Sequence, residues 1–326
     1  MTRTLDDFDQ LTRPYRPELL ALSYRMLSSI HDAEDAVQET YLRAWRSYGG
    51  FEGRSSLRTW LYRIATTTCL RALENRARRA LPTDLGGPGQ EPAAALVTRP
   101  ELPWLDPVPD TMLAGSALET GDPLSVVAHR DSVRLAYIAA LQLLPPRQRA
   151  VLVLRTVLAF SAAEVAEMLE TIPASINSLL QRARAQLAQA QLGEDHLTEP
   201  DSPRQRELLE RFVTAMREND IDGLVATLTD DARYEMPPFP AWFRGAQMIG
   251  QMIRIQSPAQ HSGDHLLVPT AANRQPAFGL YMPDERGVHR AFNLQVLTVT
   301  PAGISHVVAF FDLRLFARFG LPDTAP

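Results

Sequence analysis

The stretch from Leu81 to Pro123 constrains the fold of this chain more than any other. It begins LPTDLGGPGQEPAAALVTRPELPWLDPVPD and is dense in proline, glycine and acids. Proline lacks the N–H that a helix or a strand ladder needs, and glycine raises the entropic cost of order. No long regular element can run through it, so the chain must fold as separate parts on either side. Its 326 residues suit two or three such parts. We read residues 81–129 as an acidic, mostly extended linker.

Before the linker, from Phe8 to about Arg79, apolar residues recur three and four apart. Leu19, Leu22, Tyr24, Met26 and Leu27 form one such series, and Leu57, Trp60, Leu61 and Ile64 another. That spacing predicts helices, broken at Ser28-Ser29 and in YGGFEG at 48–53. Helical text resumes at Arg130 and runs to Leu192. A shorter linker, GEDHLTEPDSPR, then leads to RELLERFVTAMREND and IDGLVATLTDD. Strand-like text follows, including HRAFNLQVLTVTPAGISHVVAFFDLRLF. Helices followed by strands predict an α+β domain over 204–320.

Composition narrows the function. No run of about 18 apolar residues occurs, and MTRTLDDFDQ has no apolar signal core, so neither membrane spanning nor secretion is expected. A lone cysteine, Cys69, forms no internal disulfide and fits a reducing cytoplasm. All 33 basic residues are arginine, which excludes a P-loop lysine and a Schiff-base lysine. The net charge of −5 argues against nucleic acid only if it is evenly spread. By segment it is +3 over 1–80, −6 over 81–129, +3 over 130–192 and −5 thereafter. Two basic blocks flank the acidic linker.

Each basic block carries a pattern. In DAEDAVQETYLRAW, Asp32, Asp35 and Glu39 share one helix face, while Ala33, Ala36, Val37 and Thr40 lie largely on another. Tyr41, Trp45, Tyr48 and Phe51 then precede Arg54, Arg58, Arg63, Arg71, Arg76, Arg78 and Arg79. Rings that stack on unpaired bases, beside guanidiniums that track phosphate, are what single-stranded DNA requires. Trp45 and Trp60 read equally well as core. In the second block, Ser161 and Glu164 form a capping box. Ile176, Leu180, Ala183 and Leu187 make a buried stripe on the next helix. Ser175, Asn177, Ser178, Gln181, Arg182 and Arg184 are left for solvent or DNA, the plan of a helix-turn-helix.

DAEDAVQETYLRAW and FEGRSSLRTWLYRIATTTCLR resemble the core-binding and promoter-melting regions of extracytoplasmic-function sigma factors, the small initiation factors of bacterial RNA polymerase. Leu144 to Leu187 resembles the same family's −35-binding domain. The resemblance implies two all-α domains, over 8–80 and 130–192, and two partners, polymerase core and promoter DNA. It implies that Asp32, Asp35, Gln38 and Glu39 face the clamp helices of the largest subunit, with a second contact at the flap. It also implies that the Tyr48–Arg54 loop, with Phe51, captures a flipped −10 base, with Arg58 and Arg63 near the backbone. The turn glycine of the pattern is Glu170 here, and Thr171 is expected as the cap before Pro173. Asn177 and Leu179 replace basic residues of the pattern, so fewer phosphate contacts are expected.

A typical member would stop near Leu192. The following text, FVTAMRENDIDGLVATLTDDARYEMPPFPAWFRGAQMIGQMI, resembles the SnoaL-like fold, an α+β cone closed by helices. Acid-base candidates are Asp230, Asp231, His261, Asp264, His265, His289 and His306. Their spacing matches no metal set, and a regulatory domain with no cofactor and no catalytic role is expected, in place of a separate anti-sigma protein. Phe239, Trp242, Met248, His265, Phe278 and Tyr281 are the expected cavity lining. Trp104 and Leu105 in the linker resemble a motif that docks on this domain in sigma factors that carry it.

Overall fold

The computed structural model describes residues 5–74, 77–113, 132–189 and 202–325. Contacts divide the chain into two compact units: Met1–Arg79 with Leu105–Leu192, and Ala80–Trp104 with Gly193–Pro326. Arg76, linker residues 114–129, the expected start at Arg130 and the segment 190–201 lie outside the described residues.

The first unit is helical. It comprises α1 (Leu5–Thr12), α2 (Arg16–Leu27), α3 (Ile30–Ser47), α4 (Leu57–Leu73), α5 (Asp110–Leu113), α6 (Leu135–Leu141), α7 (Pro146–Leu152), α8 (Ala162–Met168) and α9 (Pro173–Gln189). Its breaks have local causes. Helix α2 stops because Ser28 turns left-handed at φ +51°, and α3 starts because Ser29 accepts a hydrogen bond from the Asp32 N–H. Ser56 caps α4 by accepting from the Thr59 N–H. Leu19, Leu22, Tyr24, Met26 and Leu27 are all buried, as their spacing predicts.

Helices α8 and α9 form the helix-turn-helix. The Ser161–Glu164 capping box opens α8 as expected. Glu170 takes up the left-handed turn at φ +52°, so the position is occupied without glycine. A residue with a Cβ costs roughly 1–2 kcal/mol there. Helix α9 begins at Pro173 and the Ile176 N–H donates to Ile172 O, so Ile172 rather than Thr171 precedes the helix. Proline suits this first position because its missing N–H would have had no helical partner. Ile176, Leu180 and Ala183 are buried, and Leu187 is half-buried.

The second unit is α+β. It holds α10 (Pro203–Arg217), α11 (Ile221–Val225), β1 (Leu228–Met236), β2 (Phe239–Arg244), α12 (Ala246–Gln256), β3 (Leu266–Ala272), β4 (Gln275–Pro283), β5 (His289–Thr300), β6 (Gly303–Phe310) and α13 (Arg314–Arg318). One sheet runs β2-β1-β6-β5-β4-β3, antiparallel except where β1 meets β6. Alternate residues Ala232, Tyr234 and Met236 of β1 join Val307 and Ala309 of β6 in one core with Phe212, Met216, Ile249 and Ile253 of the helices. This is the SnoaL-like arrangement of helices closing a sheet.

The first part of the expected linker is not free. Residues 80–104 form a strap whose ends meet in a bridge between Ala80 and Trp104. The strap lies on the SnoaL-like domain. The Thr83 N–H donates to the fully buried carboxylate of Glu235 (2.8 Å), and Trp242 Nε1 donates to Gly86 O (2.9 Å). The Gly89 N–H donates to Trp242 O, Arg99 N–H to Pro238 O, and Gln256 Nε2 to Pro92 O and Ala94 O. A Cβ on Gly89 would stand 3.0 Å from the Phe243 ring, so glycine is what permits the approach. The segment has no regular element beyond a 3-10 turn at Pro82–Asp84, and what holds it is another surface. Proline-rich text cannot pair with itself, but its N–H and C=O groups remain available to another surface.

Trp242→Phe keeps the ring and removes the N–H that holds Gly86. A hydrogen bond contributes about 1 kcal/mol net, close to a fivefold factor in local opening. Amide exchange at Thr83 and Gly89, read by mass spectrometry, should accelerate about fivefold. Unchanged protection would show that the indole does not hold the strap.

Candidate functional site

Helix α3 presents the acidic stripe unevenly. Asp35 and Gln38 are exposed. Asp32 is mostly covered and paired with Arg79 at 2.7 Å. Glu39 is half-exposed and pairs with Arg43 at 2.6 Å, a hydrogen bond that holds its carboxyl below the usual range. One turn beyond Gln38, Leu42 is 51% exposed. It adds one exposed apolar side chain to this otherwise polar face. The sequence carried that signal in the i, i+4 spacing from Gln38, but an isolated leucine reads as core.

The aromatic block packs largely upon itself. Phe8 is buried, with ring centroids 5.1 Å from Tyr48 and 5.5 Å from Trp45. Phe51 lies 4.9 Å from Trp60. Tyr48, Phe51, Trp45 and Trp60 all stay half-exposed, so they serve as core on one face and as a surface on the other. Arg54 is exposed beside Glu52. Arg63 pairs with Glu170 of the helix-turn-helix at 2.9 Å, between two exposed side chains.

Arg58, expected near the DNA backbone, has close partners within the protein in this conformation. Its Nε donates to Glu18 Oε2 at 2.9 Å, and the guanidinium lies 4.9 Å from the ring centroids of Tyr62 and Phe160. Glu18 is 1% exposed and also accepts from the Tyr62 hydroxyl at 2.8 Å. A buried carboxylate needs a cation, and Arg58 supplies it. Burial, with the Glu18 charge beside it, pushes the Tyr62 hydroxyl well above its ordinary pKa. In this conformation Arg58 is a packing residue.

The helix-turn-helix exposes Asn177, Ser178, Gln181, Arg182 and Arg184, with Ser175 half-buried. Ser175, Ser178 and Arg182 border an open groove of about 530 Å³ that Arg147 and Thr171 also line. Arg147 donates to Leu169 O at 2.9 Å and was not singled out from sequence, because it precedes the turn by a whole helix.

In the SnoaL-like unit the acid-base candidates have structural partners. Asp230 and Asp231 are exposed on β1. Asp264 accepts the N–H groups of Gln260 and His261, which hold its carboxyl low, and stands 3.7 Å from His261 Nδ1. His265 is buried, with Nδ1 3.1 Å from Met216 O and Nε2 3.2 Å from Ser257 Oγ. His289 Nε2 meets Gly263 O at 2.9 Å. His306 Nε2 meets the second oxygen of the Glu235 carboxyl at 2.7 Å. Of the expected cavity lining, Phe278 belongs to the core and Phe239 and Met248 pack against it, while Trp242, His265 and Tyr281 have other partners. Phe239 packs edge-on against Phe311, Trp242 anchors the strap, and Tyr281 packs on Phe316 with its hydroxyl donating to Pro322 O. The hollow in this core, bordered by Phe212, Tyr234 and Gln295, holds about 10 Å³, too little for a ligand. Period-2 alternation splits such residues between the two sheet faces, and cavity-lining chemistry alone does not distinguish the faces. Among the described residues no group of His, Cys, Asp and Glu could hold a metal ion.

Linker residues Trp104 and Leu105 part company. Trp104 Nε1 donates to Arg99 O within the strap, whereas Leu105 is fully buried in the first unit. Hydrogen bonds at Thr83, Gly86, Gly89, Pro92, Ala94 and Arg99, upstream of the expected pair, hold the strap on the domain.

Two outcomes test these assignments. Arg58→Ala should lower the unfolding free energy by about 3–5 kcal/mol in urea titration, since it strands a buried carboxylate. Arg54→Ala should stay within about 0.5 kcal/mol, and equal effects would contradict the packing role. Burial lowers the His265 pKa, so the folded state binds its proton less readily than the unfolded chain. The associated stability is present above about pH 6.5 and is lost as pH falls through the folded value. His265→Gln should therefore shrink the drop in Tm between pH 7.5 and 5.5; an unchanged drop would contradict it.

Comparison with known proteins bears on both units. The Sigma-70 region 2 family model matches residues 11–79, and the Sigma-70, region 4 model matches residues 134–187. The ECF RNA polymerase sigma factor SigG of Mycobacterium tuberculosis is 52% identical over 319 residues, 98% of this chain and 85% of that one. SigJ of the same organism is 31% identical over 245 residues, 73% of this chain and 69% of its own. The crystal structure of Mycobacterium tuberculosis SigJ superposes with a TM-score of 0.60 at 22% identity, covering 98% of this chain and all of that one. With its region 2 helices, its region 4 helix-turn-helix and a SigG-like sequence across nearly its whole length, this chain belongs to the extracytoplasmic-function RNA polymerase sigma factors.

Proposed function

We propose that this alternative sigma factor is held closed in its free state and is regulated by its own SnoaL-like domain. In the open state, Asp35 and Gln38, with Leu42 one turn further along the same helix, dock on the clamp helices of the polymerase largest subunit. Asp32 and Glu39 support that face from their pairs with Arg79 and Arg43. The Tyr48–Arg54 loop takes a flipped −10 base on Phe51, and Arg63 reaches the backbone once freed from Glu170. Ser175, Asn177, Ser178, Gln181, Arg182 and Arg184 read the −35 element in the major groove while the same domain meets the flap. The SnoaL-like domain regulates rather than catalyses, needs no cofactor, and replaces a separate anti-sigma protein. Among the described residues no helix is long and apolar enough to cross a membrane.

The observation that carries the closed state is that the two helical blocks form one unit. Arg63 of the −10 block pairs with Glu170 of the −35 block at 2.9 Å. Centres of the two promoter elements lie about 25 base pairs apart, roughly 85 Å of duplex. A unit whose two DNA-facing blocks touch cannot read both at once. Opening must separate them, and the linker that joins them is partly held by the strap on the SnoaL-like domain.

Run-off transcription with purified core polymerase tests the function. The full chain should initiate from its own promoter, Asp35→Arg should cut the transcript at least tenfold, and residues 1–195 alone should differ from the full chain in output. No promoter-specific transcript from either length would overturn the reading. An unaffected Asp35→Arg would remove the clamp assignment.

A further inference from the structure

The outer face of the SnoaL-like sheet carries a row of basic side chains beside the strap. Arg233 on β1 stands directly opposite Arg244 on β2 and, on its other side, opposite His306 on β6. Facing residues of neighbouring strands project to the same side of a sheet, so the three share one face. Neighbouring strands lie about 4.8 Å apart, which makes the row roughly 10 Å long. The next row on that face is Trp242, Glu235 and Val308, of which the first two hold the strap.

Both arginines are exposed, and neither guanidinium has an ion pair or hydrogen bond among the described residues. Asp231, two residues before Arg233, accepts instead from Thr229 Oγ1 at 3.1 Å. Like charges directly opposite each other in a sheet are destabilising. Acids were available to neutralise them, since residues 193–326 hold 17 Asp and Glu against 12 Arg. Two unneutralised guanidiniums side by side in an acidic domain run against its stability. His306 completes the row. Its side chain is 15% exposed and its Nε2 lies 2.7 Å from the fully buried Glu235 carboxylate, so the ring links the row to the group beneath the strap.

We infer that this row binds a small anion carrying two phosphoryl groups, and that the strap responds to its binding. Guanidinium suits phosphoryl oxygens because its planar fork donates two parallel hydrogen bonds. Two adjacent forks and an imidazole exceed what one carboxylate needs. The row is too short to track a nucleic-acid strand, whose sites cover about four nucleotides or more. An anion beside His306 competes with Glu235 for the imidazole, and Glu235 in turn accepts the Thr83 N–H at 2.8 Å. A ligand that favours the state with His306 drawn toward it shifts the strap toward release. The consequence for transcription rests on the self-regulated sigma-factor reading; the binding itself does not.

Calorimetric titration of the full chain in magnesium-free buffer tests the row with pyrophosphate, inorganic phosphate, ADP and a ten-residue oligothymidylate as probes. Pyrophosphate should bind at least about tenfold more tightly than inorganic phosphate. Arg233→Gln and Arg244→Gln should each weaken it about tenfold while Tm stays level or rises, because each also relieves the repulsion between the strands. ADP binding as tightly as pyrophosphate would identify an esterified diphosphate as the ligand, and pyrophosphate binding alone would identify the free anion; either supports the site. Amide exchange at Thr83 should quicken about threefold on saturation with pyrophosphate, and the anion should add nothing in His306→Gln. The proposal is overturned by no pyrophosphate binding at millimolar concentration, by inorganic phosphate binding as tightly, by indifference to both arginine substitutions, or by Thr83 exchange that the anion leaves unchanged. Displacement of pyrophosphate by the oligothymidylate would assign the row to DNA and would also overturn it. Binding and strap response intact in a chain that yields no promoter-specific transcript would fault the sigma-factor reading alone.

Discussion

Buried arginine holds the helical unit together. Arg25 is fully buried and donates through Nε and Nη2 to Ser132 Oγ, and Arg149 reaches from α7 to the last turn of α2 at Met26 O. Glu18, Arg58 and Tyr62 add a third buried polar cluster, on which Phe160 from the other block also packs. Groups of this kind are costly to strand, so each fixes its neighbours within narrow limits. An apolar seam would slide more readily; a seam of charged hydrogen bonds has one geometry or none. The unit is therefore suited to two discrete states, closed with these side chains held by the bonds above, or open with them returned to water. The absence of lysine makes arginine the carrier of both tasks, seam and DNA contact. Its planar, weakly hydrated head tolerates burial better than an ammonium.

The SnoaL-like domain supplies the second constraint. Glu235 is fully buried and shares its carboxylate between His306 on β6 and the Thr83 N–H of the strap. Trp242 contributes its indole and its backbone to the same segment. A domain of this fold commonly encloses a ligand; here the hollow beside Phe212, Tyr234 and Gln295 is only about 10 Å³, and the domain's outer surface holds chain. The acidic charge of the strap and of the domain it covers leaves the basic blocks as the DNA-facing parts, which the net charge alone conceals.

Much of the helical architecture was legible because its signals are local. Ser29, Ser56 and Ser161 mark helix starts, and the three-four spacing of leucines marks the core. The exposed set on α9 follows from its buried stripe. What escaped were pairings distant in sequence. Arg58 looks like any other member of an arginine run until Glu18, forty residues earlier, is found beneath it. Glu170 at a glycine position looks like a disruption, yet the turn forms with a positive φ. The strap's anchor points were unreadable because they are backbone groups, which carry no residue identity, meeting Glu235 and Trp242 some 150 residues away. The same limit applies to the expected cavity lining: Phe239 packs on the core, whereas Trp242, His265 and Tyr281 bond to Gly86, Met216 and Pro322, partners no local pattern announces.

The central claim is that the free factor is closed and opens on polymerase. Energy transfer between dyes on Arg71→Cys and Glu167→Cys reads this directly, since both positions are exposed. Native Cys69 stays silent, being buried with its thiol pKa raised to about 12. The account predicts high transfer efficiency in the free chain and collapse of that efficiency when core polymerase and promoter DNA are added. High efficiency that persists in the promoter complex would contradict it.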